Sequence, residues 1–120
     1  MNSIFSTIPE DKWILSNDKA FAVLDIYPAS KGHTLFIPKR EIETFFEISD
    51  DELLDIKTLI RNRKVLILDE DPLVEGFNIL INNGAIAGQT VFHLHFHLIP
   101  RRKNDSSQEN FFSNLGKARS

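Results

Sequence analysis

The stretch from residue 91 to residue 99 constrains the fold more than any other part of this chain. It reads Val-Phe-His-Leu-His-Phe-His-Leu-Ile, so apolar residues and histidines alternate. Side chains two residues apart on a β-strand share one face of the sheet and lie about 6.6–7 Å apart. The pattern therefore predicts a strand over residues 91–99, closed by Pro100, with His93, His95 and His97 on one face. The other face is then apolar and carries Phe92, Leu94, Phe96 and Leu98.

Three chemical roles fit such a row of histidines. The plainest is a polar sheet face in contact with solvent, although such faces normally carry Thr, Lys or Glu. Three imidazoles can also hold a zinc ion and leave one coordination position for water. Finally, an imidazole can attack phosphorus and form a phosphohistidine intermediate, while its neighbours hold protons near neutral pH.

The residues just before the histidines favour the third role. Residues 82–90 read Asn-Asn-Gly-Ala-Ile-Ala-Gly-Gln-Thr, a loop of small and polar residues. The backbone N–H groups of such a loop can approach a phosphate closely, and Gln89 and Thr90 can donate hydrogen bonds to its oxygens. Most Asn-Gly pairs are merely turns. Directly upstream of three imidazoles, however, this loop indicates a phosphate site.

The rest of the chain predicts an α+β fold in one domain without a linker. Residues 20–27 and 33–37 are rich in β-branched and aromatic side chains and flank a turn, which predicts an antiparallel hairpin. Ser49 and Glu52 match a capping box and predict a helix that runs to about residue 69. Residues 77–81 resemble a further strand. The order β-β-α-β-β favours a mainly antiparallel sheet.

Composition excludes several classes of protein. The 120 residues carry a net charge of −3 and include no cysteine. A generally basic nucleic-acid binder, a disulfide framework and a thiolate metal site are therefore excluded. The N-terminus lacks the pattern of a secretory signal, and no apolar run reaches the ~20 residues that a membrane span needs. We expect a cytoplasmic protein that binds neither nucleic acid nor membrane.

The motif His-Leu-His-Phe-His-Leu-Ile at residues 93–99 resembles the signature of the histidine-triad (HIT) family of nucleotide hydrolases and transferases. Leu-Asp-Ile at 24–26 and Lys-Gly-His-Thr-Leu-Phe-Ile-Pro-Lys at 31–39 are similar to that family's N-terminal hairpin, and residues 82–101 to its catalytic loop and strand. The resemblance implies a HIT domain over residues 1–103, followed by a polar tail over 104–120. It also implies a five-stranded antiparallel sheet with one long helix and a short helix, in a homodimer.

The resemblance assigns roles to the matching positions. His95 would attack the α-phosphorus of a nucleotide and form a nucleotidyl-histidine, and the backbone carbonyl of His97 would fix the tautomer of His95. His93 and His97 would line the phosphate site. For Asp25 a turn-capping role competes with contact to the ribose hydroxyls, and His33 is expected to be a buried group beside the triad. The substrate-binding set is expected to be Asp25, Ile26, His33, Asn82, Gly88, Gln89 and Thr90.

Departures from the family pattern set our expectations for cofactor and substrate. Many bacterial relatives hold a structural zinc ion through Cys-x-x-Cys, a later His and the first triad His. The matching positions here are Ser3, Ser6 and Glu41, which predicts no structural zinc and no cofactor beyond a divalent cation that accompanies the nucleotide.

The end of the last strand bears on the substrate. The strand runs into Pro-Arg-Arg-Lys at residues 100–103, unlike the ending of the family's phosphoramidase branch. This basic run either contacts an extended phosphate chain or is solvated. We expect a purine nucleotide as substrate, with a diadenosine polyphosphate first and an adenosine phosphoramidate second. A nucleotide sensor without catalysis remains the alternative from another class.

Overall fold

The computed structural model describes residues 3–103 and Asp105. Its strands are β1 (Leu15–Ser16), β2 (Ala20–Leu24), β3 (Thr34–Pro38), β4 (Val74–Leu80) and β5 (Phe96–Arg102), and its long helix is α1 (Asp50–Glu70). Short 3-10 helices cover Ile4–Thr7, Glu10–Lys12, Phe45–Glu47 and Ala85–Ala87. The polar tail predicted over residues 104–120 lies outside the described residues, apart from Asp105. Among the residues described, none of the helices has the length and apolar character required to cross a bilayer.

The five strands form one antiparallel sheet in the order β1-β2-β3-β5-β4. The predicted hairpin is confirmed, because β2 pairs with β3 and places Ala22 opposite Phe36. β5 pairs with β3 on one side and with β4 on the other, so the last strand lies inside the sheet. The predicted α+β class, with five antiparallel strands and one long helix, is confirmed. β1 was not predicted, since two residues are too few to display an alternating pattern.

Helix α1 begins where the capping box predicts. The Ser49 hydroxyl accepts a hydrogen bond from the Glu52 N–H at 3.1 Å, and the Glu52 carboxylate accepts one from the Ser49 N–H at 2.9 Å. The same carboxylate receives two hydrogen bonds from Arg40, at 2.7 and 2.9 Å. These bonds hold the pKa of Glu52 at about 2 because they stabilise the ionised form. They also link the loop after β3 to the start of the helix.

The sheet has two apolar faces, because alternate residues of each strand point to opposite sides. The face that α1 covers is called the helix face, and its buried residues include Ala22, Phe36, Leu98, Ile56 and Leu59. The opposite face is called the pocket face, and its buried residues are Phe5, Phe21, Val23, Leu35 and Ile37. The 3-10 helices at Ile4–Thr7 and Glu10–Lys12 contribute to covering the pocket face.

The last strand differs from its prediction at both ends. β5 starts at Phe96 rather than at residue 91, and it continues through Pro100, which pairs with Phe77. Its ladder with β3 ends at Leu98, so beyond that point β5 has a neighbouring strand on one side only, where proline is tolerated. Residues 91–95 precede the ladder, yet Leu94 is still buried on the helix face. Phe92 was predicted to join it and is instead 52% exposed.

Candidate active site

The pocket face holds a cavity of about 440 Å³. Its walls are mainly apolar and come from the N-terminal 3-10 helix and from the end of β2, with Phe5, Ile8, Val23 and Ile26 among the lining residues. Asp25 is the single acidic residue in that lining. A mainly apolar cavity with a few polar groups is the usual form of a small-molecule site.

His95 lies against the cavity residue Phe5 and has one ring nitrogen with a free lone pair, Nε2. Its Nδ1 lies 2.8 Å from the carbonyl oxygen of His93, and a carbonyl can only accept, so Nδ1 carries the proton. Its Nε2 is buried and has no hydrogen-bond partner within the described part of the chain. Burial, more than any other influence, lowers the pKa of His95 below its usual value, so the ring is neutral at neutral pH. The carbonyl that fixes this tautomer belongs to His93 and not, as predicted, to His97.

The reason for that correction is local. Residues 91–95 lie outside the β5 ladder, which leaves the His93 carbonyl available to the ring two residues later. In a regular strand that carbonyl would point across to a neighbouring strand. The prediction assumed a regular strand through all three histidines.

His97 and His33 form a hydrogen-bonded chain that sets their tautomers. The Ala29 N–H donates to His33 Nδ1 at 2.9 Å, so the proton of neutral His33 is on Nε2. That N–H lies 2.8 Å from His97 Nδ1, which must accept. The proton of His97 is therefore on Nε2, a buried atom without another partner among residues 3–103. Burial, assisted by the nearby imidazoles, lowers the pKa of His33 to about 4 and that of His97 to about 3.

His93 anchors the other end of the triad. Its Nε2 donates to the Pro38 carbonyl at 2.7 Å, and burial lowers its pKa. His93, His95 and His97 are 0%, 3% and 0% exposed, so the interpretation of a solvated polar face is wrong. Although residues 91–95 precede β5, the three rings lie together on the pocket face, because the ring of Phe5 contacts both His93 and His95 and the ring of His95 contacts that of His97.

The two carboxylate oxygens of Asp25 differ in their hydrogen bonding. Oδ1 accepts a hydrogen bond from the Tyr27 N–H at 2.9 Å, the arrangement of a turn-capping aspartate. Oδ2 is buried, lies 3.4 Å from His33 Nε2, and has no hydrogen-bond partner among the described residues. Burial raises the pKa of Asp25, and the Tyr27 N–H opposes this rise. The turn-capping role is thus present, and one oxygen is left for another donor. Ile26 beside it is 82% exposed at the cavity.

The loop before the triad is braced by Gln89. Its buried side chain accepts a hydrogen bond from the Gly84 N–H at 2.8 Å and donates to the carbonyls of Glu43 and Val91 at 2.8 and 3.1 Å. Both amide hydrogens are engaged, so a hydrogen bond to phosphate would replace one of these. Gly88 adopts φ +100°, in the left-handed region that favours glycine, and a Cβ there would lie 3.4 Å from the Asn82 amide. Phosphate contacts by Asn82, Gly88 and the exposed Thr90 stay predictions.

Comparison with known proteins decides which family this site belongs to. The model of the HIT domain matches residues 7–104. The chain belongs to the HIT family. An uncharacterized HIT-like protein of Methanocaldococcus jannaschii is 41% identical over 104 residues, which are 83% of this chain and 76% of that protein. The adenosine 5'-monophosphoramidase of Candida albicans is 45% identical over 98 residues, 79% of this chain and 64% of that protein, so less than two thirds of its length is spanned.

A solved structure has the same fold. The crystal structure of a HIT family protein from Bacillus anthracis is similar with a TM-score of 0.78 at 36% identity, and the match covers 97% of this chain and 91% of that chain. The resemblance that the sequence predicts is therefore confirmed at the level of family and fold.

The positions at which HIT relatives were expected to hold zinc are joined by hydrogen bonds. The Glu41 carboxylate accepts one from the Ser3 N–H at 2.7 Å and one from the Ser6 hydroxyl at 2.6 Å. Two hydroxyl-bearing residues and a carboxylate lack the Cys and His donors of a structural zinc site. These residues do not fit zinc.

One other group could hold a metal ion. Among the described residues Asp25, His33 and His97 each offer one ligand atom, all within 4.8 Å of one another. The two imidazole nitrogens are, however, joined by a 2.8 Å hydrogen bond, and a metal ion would have to displace that proton. The three triad histidines do not themselves form such a group within residues 3–103.

The basic run of this HIT protein is engaged in ion pairs. Arg102 contacts Asp71 at 2.8 Å, and Arg101 contacts Asp105 at 3.1 Å and Asn78 at 2.8 Å. Arg102 is seven residues beyond His95, roughly 20 Å of extended chain. The two arginines, which one of the two interpretations placed against a phosphate chain, thus have partners at the far end of β5.

Phe5, which lines the cavity, was not among the site residues predicted from the sequence. It lies in a four-residue 3-10 helix, which shows no periodic pattern. The one available signal was an apolar Ile-Phe pair between two serines, at the positions where relatives carry Cys-x-x-Cys.

Proposed function

We propose that this HIT protein hydrolyses a purine nucleoside 5′-phosphate derivative at its α-phosphorus, through a nucleotidyl-His95 intermediate. The observation that carries the proposal is the tautomer of His95. Its Nδ1–H is held by the His93 carbonyl, which leaves the Nε2 lone pair as the nucleophile. A neutral, oriented imidazole is the form that attacks phosphorus.

The cavity suits the nucleoside part of such a substrate. Its apolar walls can enclose a purine base, since aromatic rings bury large apolar areas. At its edge Asp25 Oδ2 is a buried acceptor without a partner in the described chain, and a buried acceptor is costly until a donor reaches it. The ribose hydroxyls would be such donors. Phe5 lines the cavity and contacts His95 at 5.0 Å between ring centroids, so base site and nucleophile are neighbours.

The reaction then has two displacements. In the first, the Nε2 lone pair of His95 forms a bond to the α-phosphorus, and the bond to the leaving group breaks with its electron pair. His97 Nε2–H can donate a hydrogen bond to the phosphate oxygens or to the leaving group, and the hydrogen bond from His33 Nε2–H to Nδ1 holds His97 in this tautomer. A polyphosphate leaves as an anion, and ammonia leaves from a substrate whose amino group is already protonated. In the second displacement, water attacks the same phosphorus and passes its proton to solvent, the bond from phosphorus to Nε2 breaks with its electron pair on His95, and the nucleoside monophosphate is released.

Adenosine phosphoramidate is our first candidate substrate, which reverses the order expected from the sequence. The relative from Candida albicans is named an adenosine 5'-monophosphoramidase. The basic run that favoured a polyphosphate chain is paired with Asp71 and Asp105 instead. A diadenosine polyphosphate remains the second candidate because its cleavage needs the same nucleophile.

We also propose that the protein forms a homodimer through the edge of β4. Within residues 3–103, β4 pairs only with β5, so its other edge offers backbone donors and acceptors. Leu73 and Ile79 on or next to β4 are 71% and 57% exposed, and Val65 on α1 is 65% exposed. Sedimentation analysis tests this proposal: the wild type should sediment as a dimer and Ile79→Glu should shift it toward monomer. A wild-type monomer at micromolar concentration would contradict it.

The enzymatic proposal is tested by comparing two substrates in one preparation. Purified protein should release AMP from adenosine phosphoramidate faster than from diadenosine triphosphate, and rapid quenching should trap an acid-labile nucleotidyl protein. EDTA should leave phosphoramidate turnover unchanged, which separates this mechanism from metal-dependent hydrolysis. Nucleotide binding without turnover of either substrate would identify a sensor and overturn the proposal.

A further inference from the structure

The carboxylate of Glu41 joins the N-terminal segment to the loop after β3 by two hydrogen bonds. Glu41, three residues beyond β3, accepts hydrogen bonds through both oxygens, from the Ser3 N–H at 2.7 Å and from the Ser6 hydroxyl at 2.6 Å. Both donors lie more than 30 residues away in sequence. We call Ser3, Ser6 and Glu41 the N-terminal clamp. Its members are solvent-accessible, whereas the residue between the two serines that packs inward, Phe5, is buried.

The clamp spans the part of the chain that forms one wall of the nucleotide cavity. Ile4, Phe5 and Ile8 all line that cavity. The ring of Phe5 also meets the imidazole of His95 edge-on, at 5.0 Å between centroids and 77°, and that of His93 at 5.8 Å. One short segment thus contacts both the base site and the nucleophile.

The 3-10 helix at Ile4–Thr7, which forms this wall, is not stable in isolation. It spans four residues. Its ends are held by hydrogen bonds from the Ser6 N–H to the Ser3 carbonyl, from the Ile8 N–H to the Phe5 carbonyl and from the Phe5 N–H to the Ser3 hydroxyl. Short 3-10 helices are weak by themselves because their hydrogen-bond geometry is poor and nucleation is costly. The opposite walls, from β2 and β3, are fixed by the sheet. The position of Phe5 therefore depends on tertiary contacts, of which the clamp is the polar part.

We propose that Glu41 is a positioning residue: through Ser3 and Ser6 it seats Phe5 against His95 and closes the base site. The inference rests on the proposed function, since it concerns the same cavity. Nδ1 of His95 is held by a hydrogen bond to the His93 carbonyl, while the rings of Phe5 and His97 pack against the imidazole and limit its rotation about that bond. Hydrogen bonds to an ionised carboxylate are stronger than neutral ones. The Ser6 hydroxyl, with help from the Ser3 N–H, keeps the pKa of Glu41 low, so the clamp is charged at neutral pH.

The experiment compares Glu41→Gln with Glu43→Gln. Glu43 is exposed and its side chain contributes to neither clamp nor cavity, so the second variant makes the same charge change nearby. In Glu41→Gln one acceptor oxygen becomes an NH₂ group that can accept from neither serine. We expect KM for adenosine phosphoramidate to rise about tenfold in Glu41→Gln, from the loss of one hydrogen bond to a charged group, with a smaller fall in kcat. In Glu43→Gln both should stay within twofold of the wild type.

A double-mutant cycle tests whether Glu41 acts through its hydrogen bond with Ser6. Ser6→Ala alone should raise KM about threefold, and in the Glu41→Gln background it should add almost nothing, because the partner has already been weakened. The urea midpoint of each variant distinguishes an effect on the position of Phe5 from an effect on the stability of the fold. A lowered midpoint together with a wild-type KM would mean that the contact is purely structural, and it would overturn the inference. Equal KM in Glu41→Gln and Glu43→Gln also overturns it.

An activity-independent measurement keeps this test separate from the test of function. Hydrogen exchange of the Ile8 amide should be about tenfold faster in Glu41→Gln than in Glu43→Gln, and saturation with AMP should slow it again. If the wild type turns over neither substrate, the proposed function is lost, but the Ile8 exchange rates still decide whether the clamp seats the wall. Equal exchange rates in the two variants would show that it does not.

Discussion

The two faces of this sheet are built from the same strands but are covered in different ways. On the helix face, α1 with 21 residues lies across the sheet and buries Ile56, Leu59 and Ile67. On the pocket face, the N-terminal cover includes 3-10 helices of four and three residues, and a cavity of about 440 Å³ remains. The polar groups His33, His95 and His97 are buried outside the helix-face cluster.

The difference shows that one face of the sheet provides most of the apolar packing, whereas the other holds the polar groups of the candidate site. A long amphipathic helix can seal a face with apolar contacts alone, which is the cheapest way to bury area. Short segments leave gaps, and buried polar atoms in those gaps cost free energy unless they are paired. His33 and His97 limit that cost by pairing with each other and with Ala29. Four buried nitrogens of the described residues have no partner, those of Trp13 Nε1, His93 Nδ1, His95 Nε2 and His97 Nε2, and the last two are those the proposed reaction needs.

The largest effect is expected from His95→Ala. If the pocket face is the chemical face, this change should lower kcat/KM for adenosine phosphoramidate by about 10⁴-fold or more, the scale seen when a nucleophile is removed. Its free energy of unfolding should stay within about 1 kcal/mol of the wild type, since removal of the buried, unpaired Nε2 offsets the loss of the hydrogen bond from Nδ1–H to the His93 carbonyl. Steady-state kinetics and urea titration measure the two quantities. Activity that persists in the variant would place the nucleophile elsewhere.

The converse change on the helix face is Ile56→Ala. Ile56 lies on α1 and is fully buried in the helix-face core, and truncation of a buried isoleucine costs about 2–5 kcal/mol of stability. The expected outcome is a lower urea midpoint with kcat and KM of the folded fraction unchanged. A selective loss of kcat at full stability would mean that the two faces are coupled.

The buried histidines predict a steep dependence of stability on pH. The pKa values of His33 and His97 are about 4 and about 3 in the folded protein and about 6.5 when unfolded. Between these values the unfolded chain binds more protons, so the free energy of unfolding is greatest above pH 6.5 and falls as the pH is lowered toward 4. With both histidines contributing, the slope near pH 5 should be about 3 kcal/mol per pH unit.

Urea titrations at half-unit steps of pH measure this slope. Ile56→Ala should show the same slope at lower overall stability, because its change lies on the other face. A flat profile between pH 6.5 and 4 would mean that the histidines are not held neutral by burial.

The smallest effect is expected at the far end of β5. Arg102→Leu removes the ion pair with Asp71, in which the two side chains are 18% and 25% exposed, and should cost about 1 kcal/mol. Turnover of both candidate substrates should remain within twofold of the wild type. A selective loss of diadenosine triphosphate cleavage would restore the interpretation that the basic run meets a phosphate chain.

Features that depend on neighbours in sequence were predictable. The capping box at Ser49 and Glu52, the hairpin of β2 and β3, and the common face of the three histidines follow from spacing alone. Features that depend on distant residues were not. The carbonyl that orients His95 was misassigned because residues 91–95 leave the ladder, and the limits of β5 depend on where β3 ends. The engagement of Gln89 with Glu43, 46 residues away, has no signature in the loop itself.

The place of β5 between β3 and β4 has a consequence for synthesis. The chain emerges with its hairpin, its helix and β4 first, and these leave a gap in the sheet that only residues 96–102 can fill. Because β5 joins strands that are distant in sequence, its insertion requires closure of long loops and comes late. The strand that completes the sheet carries His97 and directly follows His95. A newly made chain therefore gains its nucleophile just before the strand that completes its fold, and a chain that ends before residue 95 has neither.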